Sequence, residues 1–549
     1  MAYVITQNCC KDASCVPVCP VDCIRPAGGP GEFSGTEMLY IDPESCIDCG
    51  ACMDECPVGA IHYEEDLPEN LARFREINAA YFEHHPLEPE GAPPPRAHAS
   101  VERGSLRVAI VGAGPAACYA AAELLAIDGV EVDMFERLPT PFGLIRAGVA
   151  PDHQHTKSVV NVFTTAFGDK RFGCHLNVEI GNDLSHRDLL DHHHAVIYAV
   201  GSSTSRDLGI PGEDRRGSHP ASEFVGWYNG HPDHAHRMFD LTGRRAVVIG
   251  NGNVALDAAR MLLMSPDELR HTDVAEHALE ALAHNSIEEV VILGRRGPRN
   301  AAFSVGEFLA LGHLAGVDVV IDDPDLDAQL APDPDDDIET ATKLEIAREY
   351  AQRVPRPGHK RIVFRFHCTP TAVEGADAVA GLRINDSEVI EASLVLRSIG
   401  YRGVPIPDLP FDESTGTVPH VRGRVTDAAG QPVPGVYVTG WIKRGPQGVI
   451  GTNRSCAEQT VTELLTDFDD GALRRDVDAR DALRALMEQR GVASVDWSGW
   501  RAIDTAERER GSAASRPRVK FVAVEEMLTA AQGPVQTART AGATRTSSP

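Results

Sequence analysis

Short runs of apolar residues, each followed by a glycine-rich turn, recur along this chain from Leu106 onward. The clearest runs cover residues 107–111, 246–249 and 436–439. Short apolar runs of this kind, with helix-like segments after the turns, are typical of buried parallel strands. The pattern therefore predicts an α/β protein built from repeated strand–turn–helix units.

The segments that flank these units differ from them in amino-acid composition. The first 65 residues are rich in cysteine and acidic residues, and a helix is predicted over residues 70–83. Its inward-facing positions are Leu71, Phe74, Ile77 and Tyr81. A stiff, proline-rich spacer follows at residues 86–95, and the tail has a composition typical of disorder. The predicted segments are 1–65, 66–104, 105–212, 213–394, 395–465, 466–530 and 531–549.

The composition excludes some classes of partner. Apolar residues make up 42% of the chain, as in ordinary globular proteins, and 52 basic against 80 acidic residues give a net charge of −28. Such a polyanion repels phosphate backbones and anionic membranes, so we predict neither nucleic-acid nor membrane binding. We also expect a cytoplasmic protein, because no secretory leader or 18-residue apolar run is visible.

Nine of the 13 cysteines lie within the first 56 residues. The run from Cys46 to Pro57 has the spacing C-x2-C-x2-C-x3-C-P, in which three close thiolates bind one iron–sulfur cubane and the fourth cysteine binds a second cluster. A structural zinc site is the alternative, but zinc sites usually use C-x2-C pairs that are a dozen or more residues apart.

A second half-motif runs from Cys9 to Pro20 with the same spacing, except that Asp12 stands in place of the second cysteine. Crossed ligation predicts a [4Fe-4S] cluster on Cys19, Cys46, Cys49 and Cys52, and another cluster on Cys9, Cys15 and Cys56. The second cluster is [3Fe-4S] if it has three ligands, or [4Fe-4S] if the Asp12 carboxylate holds a fourth iron. Two cysteines are left over and are interpreted as buried thiols: Cys10 and Cys23.

This part of the chain resembles the seven- and eight-iron bacterial ferredoxins over residues 2–85. It departs from them at Asp12 and in a longer loop at residues 24–38. The resemblance implies a small α+β ferredoxin domain at residues 1–65 that transfers single electrons.

The first glycine turn carries a dinucleotide fingerprint. Gly112, Gly114 and Ala117 follow a strand and precede a helix-like segment, and Glu136 ends the next strand 22 residues after Gly114. In such units the backbone approaches a pyrophosphate at the helix N-terminus, and the acid accepts a ribose hydroxyl.

The second fingerprint ends differently. Gly250, Gly252 and Ala255 form the turn, but the strand that follows ends in Arg295 and Arg296 rather than in an acid. Guanidinium groups suit a 2′-phosphate, so this unit is predicted to bind NADP(H) rather than NAD(H). An acid-ended unit and an arginine-ended unit in one chain indicate a flavin together with a nicotinamide cofactor.

Residues 105 to about 530 resemble adrenodoxin reductase and its bacterial relatives, the ferredoxin–NADP reductases of glutathione-reductase-like fold. The matching stretches are 138–153, 250–257, 294–298, 398–402 and 440–453. The resemblance implies two dinucleotide-binding domains: FAD-binding segments at 105–212 and 395–465 and an NADP-binding domain at 213–394. The implied FAD contacts are Gly112, Gly114, Pro115, Glu136, Leu144, Val178, Trp441, Gly448, Val449 and Ile450. The implied NADP contacts are Arg206, Gly250, Asn251, Gly252, Asn253, Val254, Arg295, Arg296 and Glu307.

The whole chain resembles a mycobacterial-type fusion of a ferredoxin with a ferredoxin–NADP reductase. This implies that electrons pass from NADPH through FAD to the iron–sulfur clusters, and then to an external one-electron acceptor such as a ferredoxin or a cytochrome P450. The reductase face that meets the acidic ferredoxin unit is expected to carry arginine or lysine. His153 is a candidate catalytic residue beside the flavin, and residues 191–194 (Asp-His-His-His) are interpreted as a solvated loop.

The sequence is also compatible with two other functions. A glutamate-synthase-type small subunit would also use FAD, NADPH and iron–sulfur clusters, and would pass electrons to a partner amidotransferase. A chain whose reductase half has lost its activity would only carry electrons.

Overall fold

The computed structural model describes residues 2–26, 38–87, 98–323, 326–334 and 336–533. Most of the predicted proline-rich spacer, most of the predicted long loop and residues 534–549 of the predicted disordered tail lie outside these ranges. Residue 531, where that tail was predicted to begin, is the last residue of the helix Val524–Ala531.

Residues 2–26 and 38–87, here called the N-terminal segment, form two antiparallel strand pairs and two helices. Tyr3–Ile5 pairs with Ile61–Tyr63, and Ile24–Arg25 pairs with Tyr40–Ile41. The helices are Ala51–Glu55 and Phe74–His84. The second helix was predicted to begin at residue 70, but a 3-10 turn at Glu69–Leu71 precedes it. All four predicted inward-facing side chains are buried, so the predicted apolar face is confirmed.

A seven-stranded sheet forms the first large unit. Its five strands from Pro432–Val438 to Phe172–Leu176 are parallel, and two short antiparallel strands extend one edge. In order across the sheet the strands are His420–Val421, Arg424–Thr426, Pro432–Val438, Ala195–Tyr198, Arg107–Val111, Glu131–Glu136 and Phe172–Leu176.

A six-stranded, wholly parallel sheet forms the second large unit. In order its strands are Ser218–Pro220, Leu394–Arg397, Arg245–Ile249, Glu289–Leu293, Lys360–Arg365 and Val317–Ile321. Because Leu394–Arg397 belongs to this sheet, we propose that the second unit ends after Arg397 rather than at residue 394. The predicted α/β class with parallel sheets is confirmed.

Smaller sheets complete the strands. Thr204–Ser205 pairs with Tyr401–Arg402, and three antiparallel strands extend the second unit: Pro370–Glu374, Gly381–Ile384 and Glu388–Glu391.

The remaining α-helices are Pro115–Leu125, Leu144–Ala147, Gln154–Lys157, Thr164–Phe167, His186–His192, Ala221–Asn229, Asn253–Leu263, Pro266–Leu269, Glu276–Ala283, Val305–Leu311, Leu326–Gln329, Ile338–Gln352, Trp441–Arg444, Thr452–Asp469, Arg480–Gln489, Trp497–Ala513 and Val524–Ala531. Within the described ranges, no helix combines the length and the apolar composition that crossing a membrane requires.

The three consecutive histidines at residues 192–194 are buried, so the prediction of a solvated loop was wrong. His193 Nε2 lies 3.3 Å from a carboxylate oxygen of the buried Asp133, and His194 Nδ1 accepts a hydrogen bond from the Arg107 amide. The histidines therefore pack inside the first unit, where their ring nitrogens have polar partners.

Candidate functional site

A large cavity, with a volume of about 840 Å³, lies where the two large units and the N-terminal segment meet. All ten residues that were predicted to contact FAD line it, and so do His153, Asn253, Val254 and Glu307. The cavity lining does not include Arg206, Gly250, Asn251, Gly252, Arg295 or Arg296. Cavities at the carboxyl ends of parallel strands are the usual cofactor sites of such folds.

The backbone of the first glycine turn lies close to the backbone at Ala199. Gly112 has φ +103°, and a Cβ there would lie 2.6 Å from the Ala199 carbonyl oxygen, so only glycine fits. Gly114 caps the helix Pro115–Leu125, and the space where its side chain would begin is open. An open, positively polarised helix N-terminus is a suitable site for a pyrophosphate.

Glu136 is the last residue of the strand Glu131–Glu136 and lines the same cavity. Its carboxylate accepts hydrogen bonds from the backbone amides of Ala113 and Leu138 at 3.0 and 3.1 Å. Burial raises the pKa of Glu136, although these two hydrogen bonds act in the opposite direction. The two amides hold the carboxylate in place and leave it further lone pairs for a ribose hydroxyl.

The second glycine turn has the same form. Gly250 also has a positive φ, and Gly252 caps the helix Asn253–Leu263. The Asn253 side chain accepts a hydrogen bond from the Ser304 amide at 2.8 Å, which ties this helix to the segment that leads to Glu307.

Arg295 and Arg296 follow the strand Glu289–Leu293 and are both exposed. Within the part of the chain that the structure describes, neither makes an ion pair or a side-chain hydrogen bond. Arg206 is exposed as well, and its guanidinium donates to the Tyr401 carbonyl oxygen at 3.2 Å. The three arginines therefore lie outside the large cavity, where an anionic group could reach them.

His153 is held by a buried arginine that no sequence motif singles out. Arg260 donates to His153 Nε2 at 2.8 Å, to Asp152 at 2.6 Å and to Asp257 at 2.7 Å. Because arginine can only donate, Nε2 of a neutral His153 ring must accept, and the hydrogen is then on Nδ1. Nδ1 lies 3.8 Å from Glu307 Oε1.

Glu307 shares this environment. Burial raises its pKa, while the nearby His153 acts in the opposite direction. Ligand atoms of His153, Asp257 and Glu307 lie within 4.8 Å of one another, as in a metal site. Arg260 already supplies a positive charge to Asp257, however, and its contact with Nε2 occupies one histidine nitrogen. We therefore interpret this cluster as an ionic network.

The structure brings the cysteines of the N-terminal segment together in two groups. The outer site consists of Cys19, Cys46, Cys49 and Cys52, which line one small cavity with Cys23. The inner site consists of Cys9, Cys15 and Cys56, and Asp12 lies close enough to act on the pKa of Cys9 and Cys15. These are the two groups that crossed ligation predicts. The two leftover cysteines, Cys10 and Cys23, are buried as predicted.

The thiols of both groups are suited to iron–sulfur ligation. All 13 cysteines are free of disulfides. Burial raises the pKa of Cys9 to about 11 and that of Cys52 to about 12, so that binding of metal must displace protons from these thiols. Backbone amides already point at the sulfurs: Ala60 N–H donates to Cys56 Sγ at 3.3 Å and Cys23 N–H to Cys19 Sγ at 3.4 Å.

One face of the inner site forms a wall of the large cavity. Cys9 and Cys10 line that cavity, and the Cys10 carbonyl oxygen accepts a hydrogen bond from the Gly451 amide at 2.8 Å. A Cβ at residue 451 would overlap the Lys11 carbonyl group, so the two backbones are in direct contact. Arg454 donates to the Asp12 carbonyl oxygen at 2.7 Å. The turn that carries the predicted FAD contacts 448–450 thus also touches the loop of the inner site.

Charged residues of both signs meet at this junction. Arg454 is a basic residue on the reductase side, as expected. A second contact has the opposite polarity, because Arg73 of the N-terminal segment pairs with Glu345 and Glu349 at 2.8 Å. Arg73 lies outside residues 1–65, the predicted ferredoxin unit, so its ion pairs do not test the expectation for that unit.

Two family descriptions match parts of the chain. Residues 39–62 match "4Fe-4S binding domain", and residues 106–292 match "Pyridine nucleotide-disulphide oxidoreductase".

Individual proteins of known name match a larger part of the chain than the two family descriptions do. "Probable ferredoxin/ferredoxin--NADP reductase" of Mycobacterium tuberculosis is 49% identical over 97% of this chain and 95% of its own length. "NADPH-ferredoxin reductase FprA" of the same organism is 45% identical over 77% of this chain and 98% of its own length. The solved structure of FprA in complex with NADPH matches with a TM-score of 0.72 and 44% identity, over 78% of this chain and all of that chain.

Proposed function

This chain belongs to the ferredoxin/ferredoxin–NADP reductase family, and from that premise we propose which residues bind FAD and NADP(H) and which clusters the two cysteine sites hold. It is an FAD- and NADP-dependent oxidoreductase with an iron–sulfur segment, and it transfers electrons from NADPH to ferredoxin-type iron–sulfur centres. The observation that carries the proposal is the shared wall: Cys9 and Cys10 line the same cavity as the first glycine turn and as Asn253, Val254 and Glu307 of the second unit.

FAD occupies the part of the cavity next to the first glycine turn. Gly112, Gly114 and Pro115 accommodate the pyrophosphate at the helix N-terminus, and Glu136 accepts the ribose hydroxyl. The other contacts of the flavin are Leu144, Val178, Trp441, Gly448, Val449 and Ile450. When bound, FAD exchanges two electrons with NADPH and single electrons with iron–sulfur clusters.

NADP(H) lies along the second glycine turn. Residues 250–254 hold its pyrophosphate, and Arg206, Arg295 and Arg296 hold the 2′-phosphate. The three arginines are exposed, so this end of the cofactor remains accessible to solvent. Asn253, Val254 and Glu307 line the large cavity and would contact the nicotinamide end of the cofactor.

His153 and Glu307 act where the two cofactors meet. Arg260 fixes the orientation of the imidazole through Nε2, which directs Nδ1–H towards Glu307 and the cavity. The ring can thus donate a hydrogen bond to a group bound in the cavity while its other nitrogen stays occupied.

The N-terminal segment holds two clusters. The four thiols of the outer site suit a [4Fe-4S] cluster. At the inner site, the Asp12 carboxylate is buried beside Cys9, Cys15 and Cys56, so the cluster is [3Fe-4S], or [4Fe-4S] with Asp12 as its fourth ligand. From the clusters, electrons pass to an external one-electron acceptor such as a ferredoxin or a cytochrome P450. We also propose a cytoplasmic location, where free thiols and assembled clusters persist.

Anaerobic titration of the loaded protein with NADPH tests the proposal. Optical spectra follow bleaching of the flavin, and paramagnetic resonance follows the clusters. We expect NADPH to bleach the flavin and the clusters to gain electrons, with a much weaker response to NADH. A protein that binds FAD but contains no iron and inorganic sulfide, or whose flavin NADPH leaves oxidised, would contradict the proposal.

A further inference from the structure

The two cysteine sites differ in their access to solvent. In the inner site, Cys15 and the neighbouring Asp12 are each 6% exposed, and Cys9 faces the large cavity. In the outer site, Cys49 is exposed. Electron transfer between proteins needs a short path from the donor to the surface, and the outer site has one.

The inner site is fixed against the reductase part of the chain. The Gly451 amide donates to Cys10 at 2.8 Å, and the Ser158 hydroxyl donates to the Pro57 carbonyl oxygen at 2.6 Å. Cys10, Val58 and Ala60 are buried in one apolar core with the helix Pro115–Leu125. Buried apolar contacts of this kind hold two units together in one arrangement. The inner site therefore stays next to the large cavity, and an external protein cannot reach it from that side.

The outer site, in contrast, opens onto a surface with large apolar side chains. Val21, Ile47 and Met53 have exposures of 37%, 59% and 43%. Val21 and Ile47 line the small cavity of the outer site with Cys49, and Met53 lies on the helix that begins two residues after Cys49. We call Val21, Ile47, Cys49 and Met53 the exit surface.

Acidic side chains flank the exit surface. Asp48, Asp54 and Glu55 are all exposed. Among the described residues, none of the three forms an ion pair. A small apolar centre with charged groups around it is the usual form of a transient protein interface, and the sign of the charge favours a basic partner.

We propose that electrons enter the N-terminal segment at the inner site and leave it from the outer site, across the exit surface, to an acceptor protein with a positively charged contact face. The inference rests on the proposed function and adds to it the order of the two sites and the chemistry of the partner. Oxidation of one NADPH to NADP⁺ and a proton releases two electrons, which reduce two molecules of a one-electron acceptor.

Charge substitution on the exit surface tests this order, with cytochrome c as a basic one-electron acceptor. The first variant combines Asp48→Asn, Asp54→Lys and Glu55→Lys. Asparagine is used at residue 48 because its φ of +56° lies in the left-handed region, which asparagine tolerates. The matched variant combines Asp377→Asn, Glu280→Lys and Glu391→Lys, which are exposed acids of the second large unit and give the same change of net charge.

At low ionic strength we expect the first variant to lower kcat/KM for cytochrome c about tenfold or more, and the matched variant to change it less than about twofold. Bleaching of the flavin by NADPH should be equal in all three proteins. An unchanged kcat/KM in the first variant, or equal losses in both variants, would overturn the proposed exit surface. A flavin that NADPH does not bleach in the unsubstituted protein would instead refute the proposed function.

Discussion

Single residues set the difference between the two dinucleotide turns. Both turns begin with a glycine at positive φ and continue into a helix of 11 residues. The difference lies at the end of the following strand, where the first unit has the partly buried Glu136 and the second has the exposed Arg295 and Arg296. A carboxylate at this position accepts a ribose hydroxyl, whereas guanidinium groups attract a 2′-phosphate.

The double variant Arg295→Ala with Arg296→Ala tests this assignment. We expect the dissociation constant of NADPH to rise about tenfold to a hundredfold, because charge-assisted hydrogen bonds to a phosphate are lost. Binding of NADH, which lacks the phosphate, should be nearly unchanged. Titration of the flavin protein with each nucleotide measures both constants.

Arg270→Ala is the matched control, since Arg270 is an exposed arginine of the same unit. An equal loss of NADPH and NADH affinity in the double variant, or an equal loss of NADPH affinity in the control, would contradict the phosphate assignment.

Among the secondary-structure elements, the helix Phe74–His84 organises the N-terminal segment through one buried amide. Asn78 is 1% exposed, and its Oδ1 accepts hydrogen bonds from the amides of Ile5 and Ile41 at 3.2 and 2.9 Å. Its Nδ2 donates to the Ile5 carbonyl oxygen at 2.8 Å. One side chain therefore joins the helix to both strand pairs that surround the cysteine sites.

Asn78→Ala should weaken the N-terminal segment. It leaves two buried amide donors without a partner, at a cost of about 1–3 kcal/mol each. We expect the purified variant to retain less iron and sulfide than the unsubstituted protein, with an unchanged FAD content. Asn70→Ala, at an exposed position, is the control. A full complement of iron in the Asn78 variant would refute this role.

The helix Trp497–Ala513 is fixed to the first large unit by a buried ion-pair network. Glu507 is fully buried and accepts from Arg146 at 2.9 Å and from Arg518 at 3.0 Å. The Phe521 amide also donates to Glu507 at 2.9 Å. Burial opposes ionisation of Glu507, but the Arg146 charge and the hydrogen bonds outweigh it, and the pKa of Glu507 is lowered.

Glu507→Ala leaves the partly buried guanidinium of Arg146 without its carboxylate partner, while Arg518 keeps its ion pair with Asp504 at 2.8 Å. We expect the free energy of unfolding to fall by about 3–5 kcal/mol, as for other broken buried pairs. Glu509→Ala, at an exposed position on the same helix, should change it by less than about 0.5 kcal/mol. Denaturant unfolding of the two variants measures the difference, and equal effects would show that the network contributes little.

The parts of the fold that follow from local patterns could be predicted from the sequence. The glycine turns, the cysteine spacing and the apolar face of the helix Phe74–His84 depend on residues close together in the chain, and the structure confirms the fold class and that face. The family comparisons confirm the predicted ferredoxin–NADP reductase relationship.

Features that depend on distant packing could not be predicted. Arg260 reaches His153 across 107 residues, and the contact of Gly451 with Cys10 joins two parts of the chain that are far apart in sequence. The histidines at residues 192–194 look polar in the sequence, but Asp133 and Arg107 supply buried partners for His193 and His194. A local sequence pattern cannot indicate these hydrogen-bond partners, because they lie on other strands and helices.

At the level of the whole molecule, the N-terminal segment is part of the reductase body. Its apolar residues share one core with the helices of the second unit, and Cys10, Val58 and Ala60 share another with the first unit. The ion pairs at Arg73 involve exposed acids and contribute little to this attachment. The apolar contacts hold the inner site beside the large cavity, so electron transfer to the clusters is expected to be intramolecular.

The rate at which NADPH reduces the iron–sulfur clusters, followed by anaerobic stopped-flow mixing over a wide range of protein concentrations, tests this claim most directly. With NADPH in saturating excess, we expect a first-order rate constant that is the same at every protein concentration. A rate constant that rises in proportion to protein concentration, or clusters that dithionite reduces and NADPH does not, would show that the clusters do not receive their electrons within one molecule.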